Sequence, residues 1–294
     1  LYATVEAFKS LSEEEFKLLR SIEVGMAKFM YVPVEYLSSF TKWEEERVIK
    51  MLKKLHELGL VQRRKGAYIG FILTTRGYDC LALNALVKRG VIGSLSLKPL
   101  GVGKESDVYE GLTPSGLRIA VKFHRLGRIS FRATRRYRIY VGDRRHISWL
   151  YQSRLAAERE YEALKILYDA KVEVPKPISH NRHVVVMDII EGIPLFEKPR
   201  LKEPLNVLIR VLGNIKRGYE CGVIHGDLSE YNIIIKPEIE ELKIIDWPQW
   251  VPKGHPEAVN LLRRDIANVI NFFRRKYRVK FSEERALELV LGGI

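Results

Sequence analysis

The chain has 294 residues, of which 46% are apolar, and carries a formal net charge of +14. That length suits two domains, and the apolar share excludes a disordered polyelectrolyte. There is no apolar run of the roughly 18 residues that a membrane-spanning helix needs. Two cysteines, Cys80 and Cys221, make neither a disulfide framework nor a zinc site. Residues 1–10 include Glu6 and lack an apolar stretch, so no secretory signal is read there and a cytoplasmic location is expected. The basic balance favours a polyanionic partner, nucleic acid first.

Residues 1–90 have a helical rhythm with one extended interruption. Ser12-Glu13-Glu14-Glu15 is a capping box that opens a helix carrying Phe16, Leu19, Ile22 and Met26 on one face. Pro33 starts a second helix through Val34, Tyr36 and Leu37. Thr41 is expected to cap a third helix over residues 43–58, with Val48, Met51, Leu52, Leu55 and Leu58 as its stripe and Gly59 as its stop. Residues 60–71 read as a hairpin with a basic tip at Arg63, Arg64 and Lys65, and Thr75 is expected to cap a last helix to Lys88. Three helices, a basic hairpin and a helix make the order of a winged helix-turn-helix over residues 1–90. Glu44-Glu45-Glu46 at the start of its third helix would repel phosphates.

A linker is expected at residues 91–97, followed by a change of pattern. Strands are predicted at 97–100, 108–112 and 117–122, then a helix at 153–170 and a buried strand at 184–190. Helices at 205–221, 261–277 and 283–291 follow. A β-rich lobe and then a helical lobe give an α+β, bilobal plan for residues 98–294, with the first lobe at 98–187, a hinge at 188–192 and the second lobe at 193–294.

The chemistry sits in His225-Gly226-Asp227-Leu228-Ser229-Glu230-Tyr231-Asn232 and Ile244-Ile245-Asp246-Trp247. Pairing of Ile233-Ile234-Ile235 with Ile244-Ile245 would bring Asp246 beside Asn232. Asp227 then serves as base or orienter, and Asn232 and Asp246 offer hard oxygens to Mg²⁺, or Mn²⁺, on ATP. Lys122, ending an apolar strand, needs a carboxylate; Glu160 is the first candidate and Glu158 the second. Gly101, Gly103, Lys104, Glu105 and Ser106 form a turn whose backbone and hydroxyl suit phosphate. It is no Walker A loop, because Glu105 follows Lys104 and no helix opens there. Met187 would back an adenine pocket, with backbone groups of Asp188 and Ile190 at the adenine edge. Residues 125–145 hold eight arginines, Arg125 to Arg145, interspersed with Phe131, Tyr137 and Tyr140, which suits RNA phosphates and bases.

The motifs Gly-x-Gly-Lys-Glu-Ser-Asp at 101–107, Val121-Lys122-Phe123-His124, His225-Gly226-Asp227-Leu228-Ser229-x-Tyr231-Asn232 and Ile245-Asp246-Trp247-Pro248-Gln249 resemble those of the RIO family of atypical protein kinases. A winged helix ahead of them resembles its type-two branch. The resemblance spans essentially the whole chain. It implies a trimmed protein-kinase fold without an activation loop or peptide-docking helices, and Asp246 as acceptor of a phosphoryl group. It also implies ATP turnover during maturation of the small ribosomal subunit. Small-subunit ribosomal RNA and the pre-ribosomal particle would then meet residues 125–145 and the winged helix. The family's usual Phe after the metal Asp is Trp247 here, which keeps an apolar plug. Two other readings compete: a small-molecule kinase of the aminoglycoside or choline type, and a winged-helix nucleic-acid-binding protein whose kinase-like domain is inactive.

Overall fold

Apolar stripes of helical period and strands of period two assemble into two units. A computed structural model describes residues 1–66, 68–127 and 149–292. One unit comprises Leu1–Lys98 with Leu112–Gly116, the other Pro99–Gly111 with Leu117–Ile294.

In the first unit, α1 (Tyr2–Ser10) precedes α2 (Glu13–Gly25), then β1 (Val32–Pro33), α3 (Val34–Thr41), α4 (Glu45–Glu57), β2 (Val61–Lys65), β3 (Ile69–Leu73) and α5 (Thr75–Lys88). The capping box forms: Ser12 Oγ accepts from the Glu15 amide at 3.3 Å, and the Glu15 carboxylate accepts from the Ser12 amide at 2.8 Å. Phe16, Leu18, Leu19 and Ile22 of α2 and Val48, Leu52 and Leu55 of α4 are buried. The antiparallel sheet has the order β1-β3-β2, which leaves β2 at an edge; Arg63, Arg64 and Lys65 lie along that strand, paired with Phe71, Gly70 and Ile69, and not at the hairpin tip as expected.

Three expectations about caps and linker need correction here, and one helix went unforeseen. Thr41 does not cap α4; it is the last residue of α3, its hydroxyl bonding back to the Leu37 carbonyl at 2.7 Å, and Glu44 stands at the cap position. The cap of α5 is Thr74, which accepts from the Gly77 amide at 3.2 Å. Helix α1 has too weak a stripe to show in sequence; it buries only Thr4 and Ala7. The expected linker is in large part strand, since β4 runs over Ser94–Val102. Its serines alternate with Leu95, Leu97 and Pro99, and composition hid that extended pattern.

The second unit continues with β5 (Ser106–Leu112), β6 (Arg118–His124), α6 (Trp149–Asp169), β7 (Pro177–Asn181) and β8 (Val184–Asp188), in a sheet of order β4-β5-β6-β8-β7. Strands β6 and β8 pair antiparallel, with Ala120 opposite Met187 and Lys122 opposite Val185. Then come β9 (Ile193–Pro194), α7 (Pro204–Glu220), β10 (Val223–Ile224), β11 (Ile233–Lys236), β12 (Glu241–Ile244), β13 (Val251–Pro252), α8 (Ala258–Tyr277) and α9 (Glu283–Leu291). The core runs from α6 through α7 to α8, including Leu164, Leu167, Leu208, Leu212, Ile266 and Phe273. Among the described residues no helix is long and apolar enough to cross a membrane.

Gly77 shows how tightly α5 seats against the backbone just ahead of β2. A Cβ there would lie 2.2 Å from the Leu60 carbonyl oxygen, a backbone atom that cannot swing away. Gly77→Ala should destabilise the first unit by about 1–3 kcal/mol, as overpacking does. Denaturant unfolding of the whole chain checks this.

Candidate active site

Strand alternation puts Ala120, Lys122 and His124 on one face of β6. Helix α6 presents Glu160 to that face, in a stripe with Ala156, Ala157, Ala163 and Leu164. The Lys122 ammonium donates to Glu160 Oε1 at 2.7 Å, and His124 Nε2 meets Glu160 Oε2, also at 2.7 Å. Of the two carboxylates considered for Lys122, Glu160 is the partner; Glu158 pairs with exposed Arg154. Lys122 also donates to Asp246 Oδ1 at 2.7 Å. An ammonium has three donors, so one remains for a phosphate oxygen. Burial opposes the charge on Lys122, but Asp246 and Glu160 outweigh it and raise its pKa. Burial likewise opposes ionisation of Glu160; the Lys122 charge and the His124 hydrogen bond prevail and lower its pKa.

The segment from His225 to Asn232 is held by groups on α8. Asp265 is buried and accepts from the amides of Gly226 at 2.8 Å and Leu228 at 2.9 Å. Arg264 donates to the Gly226 carbonyl, and Asn268 to the Leu228 carbonyl at 3.0 Å. Gly226 has φ +76°, and a Cβ there would come within 3.1 Å of the Gln249 carbonyl oxygen. A side chain is excluded on both counts. His225 bridges two segments: Nε2 donates to the Ile245 carbonyl at 3.0 Å, and Nδ1 accepts from the Asp227 amide at 3.3 Å. Its ring packs on Trp247, centroids 4.4 Å apart, and Trp247 is buried, as expected of an apolar plug.

Pairing of β11 with β12 sets Ile233 opposite Ile244, and the Ile245 amide donates to the Asn232 carbonyl at 2.9 Å. Asp246 therefore follows directly on the strand beside Asn232. Asn232 Nδ2 donates to the Asp227 carbonyl at 2.9 Å. Its Oδ1 and the second oxygen of Asp246 have no hydrogen-bond partner among the described residues. No cluster of three or more metal-ligating side chains exists among those residues. Two hard oxygens without a cage fit a small divalent cation shared with phosphates. Burial pushes the Asp227 carboxyl above its ordinary pKa, and nearby Asp246 adds to this, against the pull of His225 and Arg264.

The Gly101–Ser106 turn connects β4 and β5. Gly101, Gly103 and Lys104 are exposed, and the Gly103 amide donates to the Ser106 carbonyl at 2.8 Å. Nothing lies within 4 Å of a Cβ built on Gly101, and no positive φ is recorded at Gly101 or Gly103. Met187 is buried; the Asp188 amide donates to the Lys176 carbonyl at 3.0 Å, and Ile190 lies beyond the end of β8. A cavity of about 310 Å³ has Ile190 and the β11–β12 hairpin on its wall, but none of Lys122, Asp227 or Asp246. Arg125 needs correction. It is turned inward, with Nε 3.4 Å from Asp107 and its guanidinium over Phe123, so it is withdrawn from an RNA-facing surface. The remaining arginines of the segment, Arg128 to Arg145, lie outside the described residues.

Sequence reasoning missed His124, Arg264 and Asp265 and assigned no role to His225. Asp265 had left a trace, since it stands among Leu262, Ile266 and Val269 on the buried face of α8.

A family profile for the RIO domain matches residues 107–286, and one for the Rio2 N-terminal region matches residues 8–89. The chain is 43% identical to the RIO-type serine/threonine-protein kinase Rio2 of Methanocaldococcus jannaschii, over 87% of this chain and 94% of that protein. It is 37% identical to the serine/threonine-protein kinase rio2 of Dictyostelium discoideum, over 92% of this chain but 52% of that longer protein. The Rio2 kinase of Chaetomium thermophilum, solved as an ADP/Mg²⁺-phosphoaspartate complex, superposes with a TM-score of 0.84. That match has 31% identity and covers 97% of this chain and 88% of the other. The fold and site are those of an atypical serine/threonine kinase, a phosphotransferase. The chain belongs to the RIO family, on its Rio2 branch. Membership decides against the small-molecule kinase reading.

A base with a raised pKa predicts a shifted pH profile. If Asp227 is the base expected from the sequence, it must be ionised to take a proton, so the rate falls as pH drops through a pKa raised above the ordinary 3.8. Asp227→Asn should remove that acid limb and cost roughly 10²-fold or more in kcat. The pH dependence of ATP turnover by the two proteins checks both.

Proposed function

We propose that the chain binds ATP with Mg²⁺ at the Lys122–Asp246 site and turns it over through a phosphoryl group carried on Asp246. The observation that carries this is the Asp246 carboxylate. It is one carboxylate with one oxygen held by Lys122 at 2.7 Å and the other without a partner among the described residues. The phosphoaspartate in the Chaetomium relative supports the same chemistry. Asn232 and Asp246 would hold the cation, which neutralises charge on the phosphates when bound. Lys122 and the Gly101–Ser106 turn take phosphate oxygens. The open space at Gly101 and the lack of a backbone need for glycine there suit close approach of a ligand. Met187 backs the adenine, and the Asp188 carbonyl and the Ile190 amide meet its edge.

An Asp246 oxygen attacks the γ-phosphorus, the bond to the β-phosphate oxygen breaks, and ADP leaves with that electron pair. Water then cleaves the acyl phosphate, with Asp227 accepting its proton. Single turnover with γ-labelled ATP should leave a label that hydroxylamine releases; a hydroxylamine-stable label would exclude Asp246 as acceptor.

The basic balance favours a polyanionic partner; membership of the RIO family suggests small-subunit ribosomal RNA within the pre-ribosomal particle, in the cytoplasm and during subunit maturation. Within the first unit the β2 edge is favoured over α4. On α4, Arg47 pairs with Glu14 at 2.6 Å and Lys54 with Glu15 at 2.7 Å, and Glu45 and Glu46 occupy the first turn. On β2, Arg63, Arg64 and Lys65 are exposed with no ion-pair partner among the described residues, and Arg64 lies over Tyr31. Charge reversal at all three should weaken binding to a small-subunit RNA fragment and lower its salt slope by about 2, the loss of three single-strand phosphate contacts. An unchanged slope removes β2 from the interface.

A further inference from the structure

Asp246 has φ +69°, a left-handed conformation that a non-glycine residue keeps only where its surroundings over-determine it. Before it, Ile245 is held through its amide by Asn232 and through its carbonyl by His225. After it comes a turn closed by the Trp250 amide on the Trp247 carbonyl at 3.3 Å. Two adjacent residues of α6 grip that turn. Glu160 Oε1 accepts from the Trp247 amide at 3.4 Å. Arg159 Nε donates to the Pro248 carbonyl at 3.4 Å, and a terminal guanidinium nitrogen donates to the Trp250 carbonyl. The guanidinium also lies 4.8 Å from the Trp250 ring centroid, and Trp250 Nε1 donates back to the Arg159 carbonyl at 3.0 Å.

We propose that Arg159 is a positioning residue for Asp246. By clamping residues 247–250 to α6 it fixes the direction of the carboxylate that meets the cation. The proposal rests on the reading of Asp246 as a metal ligand. Arginine suits the task because its planar fork reaches two carbonyls while its face covers an indole; a lysine ammonium does neither together. Arg159 itself touches no reacting atom, so its loss should register in metal coupling rather than in nucleotide recognition.

The test is ADP affinity of the whole chain, by calorimetry, in EDTA and in Mg²⁺. For Arg159→Met, affinity in EDTA should stay within about twofold of the parent. The gain on adding Mg²⁺ should shrink roughly tenfold, the usual size for loss of a group that orients a metal ligand. Arg159→Lys should recover only part of that gain. An unchanged Mg²⁺ gain, or an equal loss in EDTA and in Mg²⁺, overturns the proposal. If Arg159→Met does not fold, Trp250→Phe, which lacks the indole N–H, should show a smaller loss of the same kind; an unchanged gain there overturns it too. Asp246→Asn separates the two layers. Persistence of the full Mg²⁺ gain in that variant would mean that Asp246 is not a metal ligand, and the underlying reading fails with the clamp.

Discussion

A buried ammonium between two carboxylates organises the second unit. Lys122 is taken out of water and must be paired, and breaking one side of such a pair costs about 3–5 kcal/mol. Its partners come from places far apart in sequence: Glu160 on α6, and Asp246 after β12. Helix, sheet and hairpin are thereby referred to one point. His124 completes the arrangement by engaging the second oxygen of Glu160, which leaves that carboxylate no freedom to turn. The stability held in Glu160 is present above its unfolded pKa and is lost as pH falls through its lowered folded value.

The catalytic segment depends on a different device. A loop cannot leave its amides unpaired in a packed interior, and here Asp265 takes two of them while Arg264 and Asn268 satisfy carbonyls. Side chains of a single helix thus shape the path from Gly226 to Leu228. Burial raises the Asp265 carboxyl even with both amide hydrogen bonds opposing it. The absence of a side chain at Gly226 lets the Gln249 carbonyl approach, so the segments on either side of Asp246 and Asp227 pack without a spacer.

Much of this was legible in the sequence because the responsible residues stand out against their neighbours. A lysine closing an apolar strand and a glutamate inside an alanine-rich stripe called for one another. The isoleucine runs at 233–235 and 244–245 required a hairpin, which placed Asp246 beside Asn232. What escaped had no local contrast. Thr41 and Thr74-Thr75 offer similar cap chemistry, and tertiary packing chose between them. Strand β4 was hidden by serines and glycine that read as linker. His124 stood only as one residue of a motif, because its partner's second oxygen is invisible in sequence. Asp265 sat in a core stripe without a stated use, because backbone amides 37 and 39 residues away do not announce their need.

The place of Arg63, Arg64 and Lys65 has a consequence separate from any ligand. Strand β2 ends its sheet, and an edge strand is a template for another chain's strand. Charges repeated along that edge make two copies repel when they approach edge to edge. The same side chains therefore act as gatekeepers against self-association, and their replacement by neutral β-formers would expose a sticky margin even in a protein whose fold and catalysis were untouched.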